Sequence, residues 1–390
     1  MRHKVIYICH NNLPHKTMPV IHCLLPAKEH YTRENAGAVA MVTEDTVLAS
    51  RDGANSHVFG RISPNPPLTE NFTALRPRSG LFYGQNIGMA RAYLHHLSTT
   101  GLTPDWVEVH GRCQVAAYLA QHRPDLNIVL VLHNDPREMK GSKTVKQRQT
   151  LAKQMKGVFA VSQYLLDAFH DGLTAAETSH LIQQVTPLGI DPRHKTLPKK
   201  KKQIVITGRM VPEKGMLEAA KALAQVLPRH PEWSARFIGA RSFADSQKSA
   251  YEKAVAHALA PLGDQAVALG FLPMDAVYRE QDDAAIAIVP SQWQEPAGRV
   301  VLEAMVAGAA LITGRRGGIP EYAEGRALIC DDPTPEAMAN ALEQLISSPT
   351  RLHDYQQLSW TDYPFTRAHH GHSVDQGRDA VQAQFTLKTD

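Results

Sequence analysis

Two glutamates eight residues apart, Glu295 and Glu303, bracket a Pro-Ala-Gly turn in the stretch SQWQEPAGRVVLEAMVAG, residues 291–308. The preceding run AAIAIVP reads as a buried strand, and AGRVVLEAMVAG as a helix beginning near Ala297 or Gly298 after Pro296. Free backbone N–H groups at such a start, with the helix dipole behind them, form an anion site suited to a phosphate. Gly298 would let the ligand come close to that backbone. Glu303 falls about one and a half turns inside the helix, where a carboxylate can accept hydrogen bonds from a ribose diol. Glu295 stands in the loop, near whatever group hangs from the far side of the phosphate. The plainer alternative is a loop glutamate plus a glutamate that complements the helix dipole.

A second cluster lies in QIVITGRMVPEKG, residues 203–215: a strand ends at Gly208, Arg209 follows, and Lys214 precedes Gly215 at a helix start. Arginine offers a planar fork for phosphate oxygens and lysine a point charge. With the phosphate-ready helix they read as a diphosphate clamp, able to stabilise a departing nucleoside diphosphate without a metal. Ordinary loop cations are the alternative. In the first half, IVLVLHND ends a strand at His133, and VHGR (Val109 to Arg112) offers another polar group at a strand end. The stretch after His133 carries Lys140, Lys143, Lys146, Arg148, Lys153 and Lys156. Such a basic helix could lie on anionic lipid or grip an anionic acceptor, or simply be solvated.

Other patterns carry less. The cysteines Cys9, Cys23, Cys113 and Cys330 are scattered without a C-x-x-C pair, which reads as free thiols. His369, His370 and His372 lack carboxylate partners in sequence, and Asp282 and Asp283 precede a strand instead of following one, so no metal site is expected from either. No G-x-G-x-x-G after a strand and no P-loop occurs.

The elements that must position these residues alternate along the chain. KVIYIC, AVAMVT, WVEVH, NIVLVLH and GVFAVS read as strands of a first unit, and QIVITG, ARFIGA, VALGF, AAIAIVP and ALITG as strands of a second. Amphipathic stretches such as MLEAAKALAQVL lie between them, so parallel sheets covered by helices are expected. The Pro, Gly and lysine-rich break before Gln203 marks a linker. The 390 residues, 43% of them hydrophobic, suffice for two cores. We expect a first domain over 1–190, a linker over 191–203, a second domain over 204–365, and a helical segment over 366–390 that packs back on the first domain. Residues 1–195 hold 21 Lys and Arg against 15 Asp and Glu, whereas residues 204–390 hold 17 against 23. The basic first half would meet an anionic surface or substrate. The lysine run Lys199 to Lys202, without interleaved aromatics, reads as solvated linker and not a nucleic-acid patch. Without an 18-residue apolar run or a signal-like start, a cytoplasmic protein, soluble or peripheral on the inner membrane, is expected.

Taken together, GRMVPEKG, PSQWQEPAGRVVLEAMVAG and RGGIPE resemble the C-terminal half of glycosyltransferase family 4, retaining enzymes of the GT-B fold with a Glu-x7-Glu motif. The resemblance covers residues 204–345, with the early half similar in layout. It implies two Rossmann-like domains facing a central cleft and a nucleotide-sugar donor, UDP before GDP-mannose, with no cofactor and no metal. It implies that Gly208, Arg209 and Lys214 meet the diphosphate and Glu303 the ribose. Glu295 and His133 would reach the donor sugar, and backbone at Ala297, Gly298, Arg299 and Val300 the phosphate and sugar. The turn Gly270 to Pro273, with Leu272, would pass the base. The acceptor implied is a glycan or glycolipid of the cell envelope, such as a lipopolysaccharide core. The pattern departs from the family after KVIYIC, where ICHNNLPHKTMP has no Gly-Gly turn and only Asn11 or Asn12 to take a left-handed one. Other readings are transfer to a small soluble acceptor, a nucleotide-sugar epimerase or hydrolase on the same plan, and a non-catalytic nucleotide-sugar-binding protein.

Overall fold

The structure, a computed structural model, describes residues 18–78, 80, 83–241 and 248–386. The first domain runs β1 (Ile21–Leu24), α1 (Ala38–Ala49), β2 (Ser56–Arg61), β3 (Phe72–Leu75), α2 (Gln85–Thr100), β4 (Trp106–His110) and α3 (Cys113–His122). It continues through β5 (Ile128–Leu132), α4 (Val145–Gln154), β6 (Gly157–Ala160), α5 (Gln163–His170), α6 (Ala175–Thr178) and β7 (Ile182–Val185). These strands form one parallel sheet in the order β3-β2-β1-β4-β5-β6-β7.

The second domain runs β8 (Lys201–Thr207), α7 (Met216–Val226), β9 (Ser234–Ile238), α8 (Ala250–Leu259), β10 (Ala266–Gly270), α9 (Met274–Asp283) and β11 (Ala284–Val289). Then come α10 (Arg299–Val306), β12 (Ala310–Gly314), α11 (Ile319–Ala323), β13 (Leu328–Cys330), α12 (Pro335–Ile346), α13 (Pro349–Trp360) and α14 (Arg367–Thr386). Its parallel sheet has the order β10-β9-β8-β11-β12-β13. In each sheet the order reverses beside the first strand, at β1/β4 and at β8/β11. Ligands in open parallel sheets settle at the carboxyl ends of the strands at such points.

β4, β5, β11 and β12 are buried at every residue because helices cover both faces, and that explains their unbroken apolar runs. The linker is shorter than expected: β8 begins at Lys201, pairing with Ala284. Nor is the lysine run simply solvated. Lys200 Nζ donates to the Asp282 and Ala307 carbonyls, burial lowers its pKa to about 8, and Lys201 pairs with Asp283 at 2.6 Å.

AVAMVT, expected as a strand, is the start of α1. A short apolar run is ambiguous between strand and buried helix; here Val39 and Val42 continue into Thr43, Thr46 and Val47 at helical spacing, the last four of these five being buried. KVIYIC and Asn11 and Asn12 lie outside the described residues. Among those described, β1 fills the sheet position between β2 and β4.

The C-terminal α14 lies against α1 and β7. Arg378, on α14, holds both oxygens of Glu108 on β4 at 2.9 Å and Ser50 at 2.9 Å, with no part of the pair open to water beyond 2%.

Candidate active site

A cavity of about 350 Å³ lies between the two domains. Its second-domain wall starts at the ends of β8 and β11. Gly239, at φ +130°, sits so close to Gly208 that a Cβ there would be 1.9 Å from the Gly208 carbonyl oxygen. Gly215 has φ +67°, and a Cβ would meet the Pro290 carbonyl at 1.9 Å. Both contacts require glycine, and they fix the turns that present Arg209 and Lys214. Arg209 is exposed in the cavity wall with no side-chain partner among the described residues.

Lys214 Nζ lies 2.5 Å from Glu295 Oε1 and 5.6 Å from the centre of the Trp293 ring. Ser291 Oγ donates to the same carboxylate oxygen at 2.6 Å. Oε1 therefore takes both bonds, while Oε2 has no partner among the described residues and remains available to a ligand hydroxyl. The Gly317 and Gly318 turn holds this loop from behind: Gly318 N donates to the Glu295 carbonyl at 2.8 Å, and a Cβ on Gly317 would come within 2.1 Å of it.

α10 starts at Arg299 with Gly298 at φ +86° and no side-chain cap, so its first amides face the cavity, whose lining includes Ala297, Gly298, Arg299 and Val300. Arg299 also crosses the domain boundary, 3.2 Å from Asp45 Oδ2 on α1, and Arg367 Nε lies 2.9 Å from Asp45 Oδ1. The Arg367 contact is one of charge, not an aligned hydrogen bond. Glu303 does not line the cavity; 8% exposed, it faces Arg299 at 3.5 Å and Gln281 at 3.5 Å. Burial raises its pKa, opposed by Arg299. Leu272 is likewise outside the cavity lining, packed against the core.

The first-domain wall is His133, Asn134, Val161 and the start of α1 at Ala38, Val39 and Val42. His133 follows β5 and His110 ends β4, its parallel neighbour, and His110 Nδ1 lies 3.0 Å from His133 Nε2. Burial is the main cause that lowers both pKa values, His110 to about 4 and His133 well below the usual range, so both rings are neutral. α1 is reached through Gly37, where a Cβ would be 2.4 Å from Glu29 Oε1.

The domains are latched beside the cavity. Glu321 on α11 accepts from Gln163 N at 2.7 Å and Tyr164 N at 2.8 Å, occupying the amino end of α5. Ser162 Oγ donates to the Pro296 carbonyl at 2.5 Å, and Tyr322 Oη to that of Val161 at 2.7 Å. Asp45 and the bonds of Glu321 were not foreseen, because their partners lie 254 and 158 residues away.

Arg148 corrects the basic-surface expectation. It is 2% exposed, its guanidinium donating to the carbonyls of Phe169, Ser142, Lys143 and Asp171, so it closes the ends of α4 and α5 and meets no outside partner. Lys140, Lys143, Lys146 and Lys153 are exposed. Among the described residues, one buried trio, Cys23, Glu108 and His110, brings ligand atoms within 4.8 Å. Arg378 already neutralises that glutamate, so a cation there would meet a guanidinium.

With this geometry in place, the match to known proteins is specific. Residues 190–359 match the family model described as glycosyl transferases group 1. That match takes in most of the second domain and less than half of the chain. The chain is 32% identical to spore coat protein SA of Bacillus subtilis over 151 residues, 38% of this chain and 40% of that one. It is 29% identical to the lipopolysaccharide 1,2-N-acetylglucosaminetransferase of Salmonella typhimurium over 120 residues, 30% and 32% of the two chains. The matched stretches span less than half the length of either relative. In fold, the chain superposes on Anabaena HepE in complex with UDP and glucose with a TM-score of 0.72 at 16% identity, over 93% of this chain and 100% of that one. The two domains thus share the GT-B architecture of that neighbour.

Proposed function

We propose that the chain is a retaining, metal-independent hexosyltransferase that moves a sugar from a nucleotide-diphosphate donor to a hydroxyl of a cell-envelope glycan or glycolipid. UDP-sugars are favoured over GDP-mannose. The observation that carries the reading is one cavity wall holding Arg209, Lys214, the uncapped start of α10 and the free Oε2 of Glu295, opposite His133 of the other domain. Cations and helix amides would take the diphosphate and stabilise the charge that develops as the sugar–phosphate bond breaks. Glu295 Oε2 would accept from a sugar hydroxyl while Lys214 and Ser291 hold the carboxylate in place. Departure and attack would share one face of the sugar, which preserves its configuration. Glu303, behind Arg299, would reach the ribose only if Arg299 swings from its present contact.

UDP in a GT-B neighbour and a lipopolysaccharide transferase among the relatives support the choice of donor and acceptor. No helix among the described residues is long and apolar enough to cross a membrane. Contact with anionic lipid would run through Lys140, Lys143, Lys146, Lys153 and the half-buried Lys156; nucleic acid is not an expected partner. The test is incubation with a panel of UDP- and GDP-sugars, with and without a cell-envelope extract, reading product anomers by NMR. Acceptor-dependent transfer with the donor's anomeric configuration kept is expected. Free nucleotide and sugar at equal rates without acceptor would favour the hydrolase reading, and interconverted sugars the epimerase. Neutralising Lys143, Lys146 and Lys153 is expected to lower transfer to a lipid-linked acceptor and to leave a soluble one unaffected.

A further inference from the structure

His110 Nδ1 has two close neighbours, His133 Nε2 at 3.0 Å and Thr43 Oγ1 at 3.2 Å. The single proton of the Thr43 hydroxyl is directed to the Val39 carbonyl at 2.9 Å, the usual back-bond of a helical threonine. With that proton committed, Thr43 Oγ1 faces His110 as an acceptor, and His110 Nδ1 must carry the ring's proton. The other nitrogen agrees. His110 Nε2 is buried without a partner among the described residues, and a buried N–H left unpaired is less tolerable than a bare acceptor. A proton on Nδ1 serves two acceptors, whereas a proton on Nε2 would serve none.

The tautomer of His133 follows. Its Nε2 must accept from His110, so its own proton sits on Nδ1, the ring nitrogen with no partner among the described residues, in a side chain that lines the cavity. We propose that His110 is a positioning residue that locks His133 in the Nδ1–H tautomer, so that His133 offers the cavity a hydrogen-bond donor instead of an acceptor. A donor there suits an oxygen of the sugar or phosphate of a bound sugar nucleotide. That consequence rests on the proposed function, whereas the tautomer itself does not. Glu108 on the same strand and Arg378 and His370 on α14 act on His110; His370 and Arg112 act on His133, all within a site where burial keeps the rings neutral.

The test is a long-range proton–nitrogen correlation spectrum of protein labelled with nitrogen-15 in its histidines, near neutral pH, with His133 assigned by its loss in His133→Gln. The expected wild-type signature is a protonated Nδ1 and a bare Nε2 on His133. His110→Phe keeps a flat ring but removes the donor, and is expected to move His133 to the Nε2–H form. His110→Asn places an amide N–H near the lost one and is expected to restore the wild-type signature. A protonated Nε2 on His133 in the wild type overturns the proposal, as does an unchanged signature in His110→Phe; the wild-type spectrum decides the matter if that variant fails to fold. In transfer assays His110→Phe is expected to lose about tenfold in kcat/KM, what one neutral hydrogen bond is worth, and His110→Asn to recover most of it. If no sugar nucleotide binds, the proposed function fails while the spectrum still decides the tautomer.

Discussion

Removing the Glu321 carboxylate would loosen one domain from the other. The carboxylate accepts two amides of α5 at 2.7 and 2.8 Å, while Ser162 satisfies a third, that of Leu165, at 3.3 Å. A charged cap of this kind is worth about 1.5–3 kcal/mol per bond when buried. Both amides lie at the exposed surface, where water replaces a lost acceptor, so the figure falls to the range of an ordinary helix cap, about 1–2 kcal/mol. All of that energy acts between domains, since Glu321 belongs to the second and α5 to the first. A loss of about 1.4 kcal/mol shifts a closed-to-open equilibrium tenfold. Glu321→Ala is therefore expected to lower the melting temperature by about 2–8 °C and to raise the donor KM up to about tenfold, with Glu321→Gln in between. Calorimetry and donor titrations on purified variants measure both. Unchanged melting together with a donor KM within twofold of wild type would refute the latch.

Gly298→Ala places a Cβ at φ +86° and 3.0 Å from Ile319 Cγ1, which is expected to cost about 1–2 kcal/mol in urea unfolding and to weaken nucleotide binding more than it weakens the fold. Arg378→Met leaves Glu108 buried without its partner and is expected to cost about 3–5 kcal/mol, read by urea unfolding; Glu108→Gln combined with it should recover part of the loss. Acid should destabilise the chain through His110. Its folded pKa, about 4, lies below the ordinary 6.5, so the stability gained by keeping it neutral is full above 6.5 and is lost as pH falls through 4. For that single group the loss approaches roughly 3 kcal/mol, and melting curves from neutral to pH 4 should show it.

Sequence reached furthest where the chemistry is local. Arg209 and Lys214 share one turn, and Glu295 and Gly298 share one loop, each just past a continuous apolar strand, so type and spacing were enough. β7, Ile182–Val185, was missed because an edge strand reading IQQV carries two polar residues and little apolar pattern. α1 was misread because a buried helix start and a buried strand look alike over six residues. Asp45, Thr43 and Glu321 were out of reach for a different reason: each acts through a partner on a distant element, and only folding reveals the pairing. The same holds for Arg148, whose neighbours in sequence suggested a surface while its bonds close the interior.

The central claim is that the interdomain cavity grips a nucleoside diphosphate. Calorimetric titration of the wild type, Arg209→Ala and Lys214→Ala with UDP, GDP and ADP, and with their common sugar conjugates, tests it most directly. The account predicts selective micromolar binding of one nucleotide, weakened about tenfold or more in each variant. Absence of binding to all of them, or binding that both variants retain in full, would contradict it.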